Sequence, residues 1–275
     1  MPVMRMKIAF IGAGNMASSL IHGLLHSGFS PELIIAADPS PEQLQKLEQT
    51  GIQLYSDNSV AAKTANIVVL AVKPQNVSPV LSSLSLSESQ LLLSIAAGVG
   101  LDTLEHQSNP NQPIIRSMPN TPALLGVGMT AMFANKNTST KQRSHAEEIL
   151  KAVGKVIWLT DENALDAVTG VSGSGPAYFF YFIEAIISAG EQLGLDRETA
   201  TTLAMETAYG AAIMVKEQPL SAKELRAKVT SPGGTTEKAL AIMEEAGCRS
   251  IILQAVEGAA KRSAELSKEY GTKTK

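Results

Sequence analysis

Short apolar runs alternate with helix-patterned segments along the first half of the chain. The runs are rich in β-branched and aliphatic side chains and stop at glycine or polar residues, which is typical of buried strands. They cover residues 7–11, 33–37, 67–72, 91–95 and 114–116. Helix-like segments lie between them, up to residue 27 and at 41–49, 76–84 and 101–107, and Gly28 is expected to end the first helix. This alternation predicts an α/β domain with a Rossmann-type parallel sheet and helices on both faces.

The chain after Trp158 has helical and strongly apolar patterning. Helices are predicted at residues 163–169, 177–193, 197–216, 236–246 and 251–270, with residues 171–176 as a break between the first two. The helices at 177–193 and 197–216 are apolar on all sides, so they need more cover than this half of the chain provides. We therefore predict that they form a dimer interface. The aromatic cluster 179–182 is expected to pack in a core or interface rather than bind a cofactor.

Charge and composition exclude several classes of protein. The 275 residues carry a formal net charge of −3 with a pI near 5.9, which gives no electrostatic footprint for nucleic acid or an anionic membrane. The most apolar window, residues 177–193, is interrupted by Glu184 and Glu191 and falls short of a membrane span. A lone cysteine, Cys248, excludes an intramolecular disulfide, and no Cys/His cluster has metal-ligand spacing. We expect a soluble cytoplasmic protein without a metal.

The strongest motif is the glycine loop that follows the first predicted strand. Gly12 and Gly14 lie between that strand and a helix, with Ala17 at the third small position. The first glycine permits a tight turn, the second lets a pyrophosphate approach the backbone, and the small third residue lets helix and strand pack closely. The N–H groups of Asn15 and Met16 would face the pyrophosphate at the positive end of the helix. In this context the pattern predicts a dinucleotide site rather than a structural turn.

Three residues near the ends of later strands are candidates for the same site. Asp38 is near the usual position of the acid that accepts a ribose 2′-hydroxyl, which favours NADH, although Asp-Pro is also a common turn start. Lys73 ends a strand where cofactor phosphate or ribose would lie, with a solvated lysine as the alternative. Asn120, in a loop held by prolines, is a candidate partner for a nicotinamide carboxamide or else part of a plain connector.

Segment 231–236, Ser-Pro-Gly-Gly-Thr-Thr, precedes a helix-patterned run in the second half. It places backbone N–H groups and hydroxyl donors at a helix N-terminus, where an anion is favoured. An ordinary helix entry with a Ser or Thr cap is the alternative. A nucleotide site near one end of the chain and a small-anion site near the other indicate a two-substrate enzyme.

Six segments, in this order, resemble the pyrroline-5-carboxylate reductase family over essentially the whole chain. They are 10–16 (FIGAGNM), 71–74 (AVKP), 94–99 (SIAAGV), 116–122 (RSMPNTP), 171–178 (VSGSGPAY) and 231–236 (SPGGTT). The resemblance implies a Rossmann domain, assigned to residues 1–160, and an all-helical substrate-binding and dimerisation domain, assigned to residues 161–275, with decamers known in the family. It implies reduction of 1-pyrroline-5-carboxylate to L-proline with NADPH or NADH, the final step of proline biosynthesis.

The resemblance also assigns residues to the two binding sites. Segments 12–17, 71–74 and 96–97 with Asn58 would hold the nucleotide, and segment 231–236 would hold the substrate carboxylate. Family members that use NADPH usually lack an acid at the position of Asp38, so both nucleotides remain candidates. With Ile11, Asp38 and Asn120 added, the predicted cofactor site is Ile11, Gly12, Ala13, Gly14, Asn15, Met16, Ala17, Asp38, Asn58, Ala71, Val72, Lys73, Pro74, Ala96, Ala97 and Asn120. The predicted substrate site is Ser231, Gly233, Gly234, Thr235, Thr236 and Glu162.

In this chemistry, hydride would add to C5 of a cyclic imine that reacts more easily when protonated. Thr236 is the candidate catalytic residue, hydrogen-bonded to the ring nitrogen and relaying a proton from water. If the imine binds already protonated, proximity and orientation suffice and no strong acid is needed. Glu162 would add polarity beside the substrate or simply favour a helix start. The four histidines lie outside the motifs, and we expect none of them to be a general acid.

Two other functions have less support from the residues. A β-hydroxyacid dehydrogenase would need a lysine base deep in the long helices, and residues 177–215 contain no lysine. A dinucleotide-binding regulator without activity would need the cofactor site alone, whereas this chain also has the anion-binding segment.

Overall fold

The structure, a computed structural model, describes residues 6–272. Its strands are β1 Ile8–Ile11, β2 Ile34–Ala37, β3 Gln53–Tyr55, β4 Ile67–Leu70, β5 Leu91–Ser94, β6 Ile114–Met118, β7 Gly128–Ala134 and β8 Gly154–Trp158. They form one eight-stranded sheet in the order β3-β2-β1-β4-β5-β6-β7-β8. Neighbouring strands are parallel except for the antiparallel β6–β7 pair. The chain switches direction across the sheet between β1 and β4, and the carboxyl ends of strands at such a point are where open α/β sheets bind ligands.

The central strands β1, β2, β4 and β5 are buried on both faces, as the apolar runs predict. Alternate residues of β1 enter two separate cores, with Ile8 and Phe10 in one and Ala9 and Ile11 in the other. Strands buried on both faces need apolar side chains at every position, which is why they are continuous apolar runs. The accompanying helices are α1 Asn15–His26, α2 Pro41–Gln45, α3 Asn58–Lys63, α4 Val77–Ser83, α5 Leu101–His106, α6 Thr140–Lys151 and α7 Ala164–Val168. The predicted Rossmann-type sheet with helices on both faces is confirmed.

Contacts within the chain divide it into two units. The first contains the residues up to Ser174 together with those from Glu257 onward, and the second is Gly175–Val256. The second unit is all-helical, as predicted for the C-terminal region. It contains α8 Gly175–Gln192, α9 Arg197–Glu217, α10 Ala222–Lys228, α11 Thr235–Glu245 and the first part of α12 Cys248–Thr272. Within residues 6–272, every helix is too short or too polar to cross a membrane.

The domain boundary predicted at residues 160/161 falls inside the first unit. Helix α7 contacts β6 and β7, so its packing joins it to the sheet. The last part of α12 also belongs to the first unit, where the Ser263 hydroxyl donates to Asp166 Oδ1 at 2.7 Å. A division of function at residue 160 stays a prediction.

The break predicted at residues 171–176 is wrong. Residues Thr169–Gly173 form a π-helical turn, in which the Ser174 N–H donates to the Thr169 carbonyl oxygen at 2.8 Å. Pro176 does not end the helical path, because it lies in the first turn of α8, where a backbone N–H is not needed. Glycine and proline therefore mark a change in helix type here rather than a loop.

Candidate active site

The glycine loop after β1 fits closely between its neighbours. Gly12 adopts φ +96°, and a Cβ at this position would lie 2.7 Å from the Ala71 carbonyl oxygen. Only glycine can occupy the position without strain. The Gly12 N–H donates to the Ala37 carbonyl oxygen at 2.8 Å, which ties the loop to the end of β2. The first glycine of the motif thus makes the tight turn that the sequence predicts.

The start of α1 is open where a phosphate group would bind. Gly14 is the N-cap residue, no side chain caps the helix, and a Cβ at Gly14 would meet nothing within 4 Å. The first N–H groups of a helix have no partner within it, so those of Asn15 and Met16 favour an anion. Ala17 is 1% exposed and packs in the core. This arrangement fits the pyrophosphate of a dinucleotide.

Asp38 follows β2 and accepts hydrogen bonds from two backbone N–H groups. Its Oδ2 accepts from Ala13 and its Oδ1 accepts from Ser40, each at 2.9 Å. The bond from Ser40 is the turn start that the sequence offered as the alternative, and the bond from Ala13 holds the glycine loop. Each carboxylate oxygen can accept a further hydrogen bond. A contact with a ribose hydroxyl therefore remains open to Asp38 and stays a prediction.

The segments after β4 and β5 lie at the same edge of the sheet as the glycine loop. The Ala71 N–H donates to the Ile11 carbonyl oxygen at 2.8 Å, and the Ala96 N–H donates to the Ser94 hydroxyl at 3.3 Å. Lys73 is exposed. Because β1, β4 and β5 are neighbours and parallel, their carboxyl ends bring together the predicted residues Ile11, Gly12, Ala13, Gly14, Ala71, Val72, Lys73, Pro74, Ala96 and Ala97.

Asn58 begins α3, three residues after β3 ends at Tyr55. Its Oδ1 atom is buried and accepts no hydrogen bond from the residues that the structure describes. A buried acceptor without a donor costs free energy, so each such atom calls for an explanation. A ribose hydroxyl would supply the missing donor, and Asn58 stays a predicted nucleotide contact.

Asn120 connects three parts of the first unit. Its Nδ2 donates to the Ser172 carbonyl oxygen at 3.1 Å, and its Oδ1 accepts from the Met129 N–H at 2.9 Å. The amide therefore joins the loop after β6 to the start of β7 and to the π-helical turn. This geometry supports the connector interpretation. The second Nδ2 hydrogen and the second lone pair of Oδ1 remain for a nicotinamide contact, which stays a prediction.

Glu162 is engaged within the first unit. It forms an ion pair with Arg116 of β6, and its Oε1 accepts from the Leu101 N–H at 2.6 Å. The Arg116 side chain is 11% exposed and that of Glu162 is 27% exposed. Because Leu101 is the first residue of α5, Glu162 caps a helix that is distant in sequence. The geometry gives it a structural role and offers no support for its predicted contact with the substrate.

Segment 231–236 forms a turn at the start of α11, within the second unit. The Gly234 N–H donates to the Ser231 carbonyl oxygen at 3.0 Å, and Gly233 adopts φ +71°. Gly234 is the N-cap residue and no side chain caps the helix, so the alternative of an ordinary Ser or Thr cap is wrong. The N–H groups and hydroxyls of Thr235 and Thr236 lie at this uncapped helix start. The local geometry fits a small anion.

Glu237 is a member of this turn that the motif did not reveal. Its Oε2 atom accepts from the Gly233 N–H at 2.7 Å. The predicted substrate donor Gly233 is therefore engaged with a carboxylate of its own chain. Glu237 lies three residues after the N-cap residue Gly234, which is the spacing of a capping box, but it accepts from the residue before the N-cap, so this spacing alone would not have identified the contact.

The long helices of the second unit expose large apolar side chains. On α8 the exposed fractions are 69% for Phe179, 65% for Phe180, 75% for Tyr181 and 50% for Phe182. On α9, Tyr209 is 66% exposed. Large apolar side chains exposed in this number on two helices indicate an interaction site.

Known proteins match this chain over nearly its whole length. The family described as "Pyrroline-5-carboxylate reductase dimerisation" matches residues 162–266, and the one described as "NADP oxidoreductase coenzyme F420-dependent" matches residues 7–98. The pyrroline-5-carboxylate reductase of Pseudomonas aeruginosa is 46% identical over 268 residues, which are 96% of this chain and 98% of that protein. The chain belongs to the pyrroline-5-carboxylate reductase family.

Solved structures of pyrroline-5-carboxylate reductases are similar in fold. That of the Coxiella burnetii protein has a TM-score of 0.89 and 40% identity, and covers 95% of this chain and 98% of its own. That of the Plasmodium falciparum protein, determined with NADP bound, has a TM-score of 0.86 and 31% identity, and covers 96% of this chain and 98% of its own. The predicted family and fold class are confirmed.

Proposed function

We propose that this chain reduces 1-pyrroline-5-carboxylate to L-proline with NADPH or NADH, the final step of proline biosynthesis. A hydride adds to C5 of the C=N bond and a proton adds to the ring nitrogen, while NAD(P)H becomes NAD(P)⁺. Relatives with this name, matched over nearly their full length, support the reaction. The observation that carries the proposal is the uncapped start of α11, which suits a small carboxylate. The same chain has a glycine loop and an open start of α1 at residues 12–17, the nucleotide cradle, which suits a dinucleotide.

The first unit has residues suited to a dinucleotide. Segment 12–17 would bind the phosphates, because the open space at Gly14 leaves room for them. Asn58 would bind a ribose hydroxyl through its buried, unpartnered oxygen. Segments 71–74 and 96–97 would line the rest of the nucleotide, which supplies the hydride when bound. NADP in the Plasmodium falciparum relative supports this assignment.

The second unit has residues suited to a small carboxylate. The N–H groups and hydroxyls of Thr235 and Thr236 would donate charge-assisted hydrogen bonds to it, strengthened by the positive end of α11. Ser231 and Gly234 shape the turn that presents these donors. Gly233 would join them once Glu237 releases its N–H. The Thr236 hydroxyl would hydrogen-bond to the ring nitrogen and relay a proton to it from water.

The exposed apolar side chains of α8 and α9 support a homodimer. Phe179, Phe180 and Tyr181 are each more than half exposed in one chain, and a second copy would bury them. The match to a family described by its dimerisation supports the same interface. Assembly into a decamer and a cytoplasmic location are further predictions.

The direct test is turnover by the purified protein with 1-pyrroline-5-carboxylate and each nucleotide, followed by nucleotide oxidation and by the proline formed. Thr236→Val should lower kcat by about tenfold, less than the loss of a full general acid, while Thr236→Ser keeps the hydroxyl and most of the rate. Thr140→Val, the same change at the exposed start of α6, is the control and should have no effect. An unchanged rate in Thr236→Val would remove Thr236 from the mechanism. Absence of turnover with either nucleotide would overturn the proposal.

A further inference from the structure

We infer that the ribose end of the nucleotide cradle discriminates against a 2′-phosphate, so that this enzyme binds NADH more tightly than NADPH. Asp38 and Glu42 are the residues that determine this specificity. The inference rests on the proposed function, because it concerns the nucleotide of that reaction.

Asp38 is held in a fixed place beside the glycine loop. Its two oxygens accept from the Ala13 and Ser40 N–H groups at 2.9 Å, so the carboxylate lies between the loop after β1 and the turn after β2. A carboxylate here can accept a hydrogen bond from a ribose 2′-hydroxyl. A 2′-phosphate offers only acceptor oxygens and negative charge, so it would replace that bond with repulsion.

The turn after β2 contains no compensating cation. Residues 38–45 include no lysine or arginine, and Glu42 lies in the first turn of α2, where it is exposed. The next cation along the chain, Lys46, donates to Gln43 Oε1 at 3.0 Å. A phosphate that carries about two negative charges would meet like charge at this turn.

The neighbouring strand end adds a further carboxylate. The Asp38 N–H donates to the Tyr55 carbonyl oxygen at 3.2 Å, which keeps the end of β3 beside Asp38. Asp57 follows and caps α3, accepting from the Ser59 N–H at 2.8 Å. Three carboxylates, those of Asp38, Glu42 and Asp57, therefore belong to the two adjacent turns that follow β2 and β3.

Lys73 does not offset the negative charge of these three carboxylates. It follows β4, which lies on the opposite side of β1 from β2. With neighbouring strands about 4.8 Å apart, the ends of β4 and β2 are separated by about 10 Å. Lys73 is thus on the side of the phosphates that NADH and NADPH share, and it favours both nucleotides equally.

Calorimetric titration of the full-length protein with ADP-ribose and with 2′-phospho-ADP-ribose tests the inference. These fragments differ only in the 2′-phosphate and lack the nicotinamide, so the readout does not depend on reduction. ADP-ribose should bind at least about tenfold more tightly, because like charges at a binding site are costly. Added salt should reduce this difference in affinity, because it screens the repulsion between the 2′-phosphate and the carboxylates. Equal or tighter binding of the 2′-phospho fragment would overturn the inference.

Charge variants identify the residues responsible. Glu42→Lys should tighten binding of the 2′-phospho fragment by about fivefold and leave ADP-ribose within about twofold. Glu32→Lys makes the same charge change at an exposed site before β2, at the opposite end of that strand from Asp38. Because the four residues of β2 span about 13 Å, this variant should change neither affinity. Asp38→Asn should also narrow the difference in affinity between the two fragments. It is a less specific test, because it places an amide group beside the Ala13 N–H and so loosens the glycine loop. An unaltered ratio in Glu42→Lys would overturn the role of Glu42.

Kinetics separate this inference from the proposed function. Turnover of 1-pyrroline-5-carboxylate with a higher kcat/KM for NADPH would refute the NADH preference and leave the reaction intact. Tighter binding of ADP-ribose without any turnover would refute the reaction and leave the nucleotide preference intact. Failure of both fragments to bind would refute nucleotide binding at residues 12–17, and with it the inferred preference for NADH.

Discussion

The ion pair between Glu162 and Arg116 offers a sharp test of how the first unit is built. Removing one partner of a buried pair costs about 3–5 kcal/mol, because the other charge is left without compensation. Here the side chains are 27% and 11% exposed, so water can partly solvate the remaining arginine and we expect about 2 kcal/mol. Loss of the hydrogen bond from the Leu101 N–H at the start of α5 adds about 1 kcal/mol.

Glu162→Ala should therefore destabilise the first unit by about 3 kcal/mol, and Glu162→Gln, which keeps an acceptor for Leu101, by about 2 kcal/mol. For a unit of this size the larger loss corresponds to a fall in Tm of about 6–12 °C. Urea unfolding followed by tryptophan fluorescence measures it directly, because Trp158, the only tryptophan of the chain, lies in β8 of this unit.

Glu148→Ala, an exposed change on α6, is the control and should cost less than about 0.5 kcal/mol. The KM for 1-pyrroline-5-carboxylate should stay within about twofold in both Glu162 variants, since the geometry keeps this side chain inside the first unit. A variant that is as stable as the parent but has a greatly raised KM would refute the structural role. It would support the prediction that Glu162 contacts the substrate.

Three further predictions follow from the structure. Gly14→Ala should weaken nucleotide binding, measured by calorimetry, but keep the parent Tm, since its Cβ meets only open space, whereas Gly12→Ala, with a Cβ 2.7 Å from the Ala71 carbonyl oxygen, should lower both the nucleotide affinity and the Tm. The same affinity and Tm in the two variants would contradict the assignment of the glycine loop to the nucleotide. Phe180→Asp should shift the protein from dimer to monomer in light scattering, because this side chain is 65% exposed in one chain; an unchanged mass would exclude α8 from the interface. Burial lowers the pKa of His145 in the folded protein, so this histidine does not change the free energy of unfolding above pH 6.5 and reduces it as the pH falls below that value. His145→Gln should therefore lose less stability than the parent protein between pH 7 and pH 5, and identical pH profiles would refute this.

The sequence predicted strands β1, β2, β4, β5 and β6, and it missed β3, β7 and β8. Strands β1, β2, β4 and β5 are apolar runs because helices cover both sides of the sheet there, and β6 begins with the buried pair Ile114 and Ile115. Strands β3 and β8 form the two edges of the sheet, and their side chains are half-buried or exposed, so neither leaves an apolar run to detect. The antiparallel strand β7 depends on a reversal after β6 that has no local signature.

In the candidate site, the sequence predicts the parts that depend on neighbouring residues and misses the contacts between residues that are distant in sequence. The glycine loop and the turn at 231–236 are continuous in sequence, and their conformations follow from glycine at fixed positions. Glu162 and Arg116 are 46 residues apart, and Asn120 and Ser172 are 52 apart. Since no local pattern reports such pairings, the sequence offered Glu162 and Asn120 as ligand contacts. The structure shows that both side chains make contacts within the first unit, and their contacts with ligands stay predictions.

The central claim is that this chain is a 1-pyrroline-5-carboxylate reductase, and turnover by the purified protein tests it most directly. With 1-pyrroline-5-carboxylate present, one L-proline should form for each NADH or NADPH oxidised, and without it no nucleotide should be consumed. Nucleotide binding without any proline formed, with either nucleotide, would contradict the account.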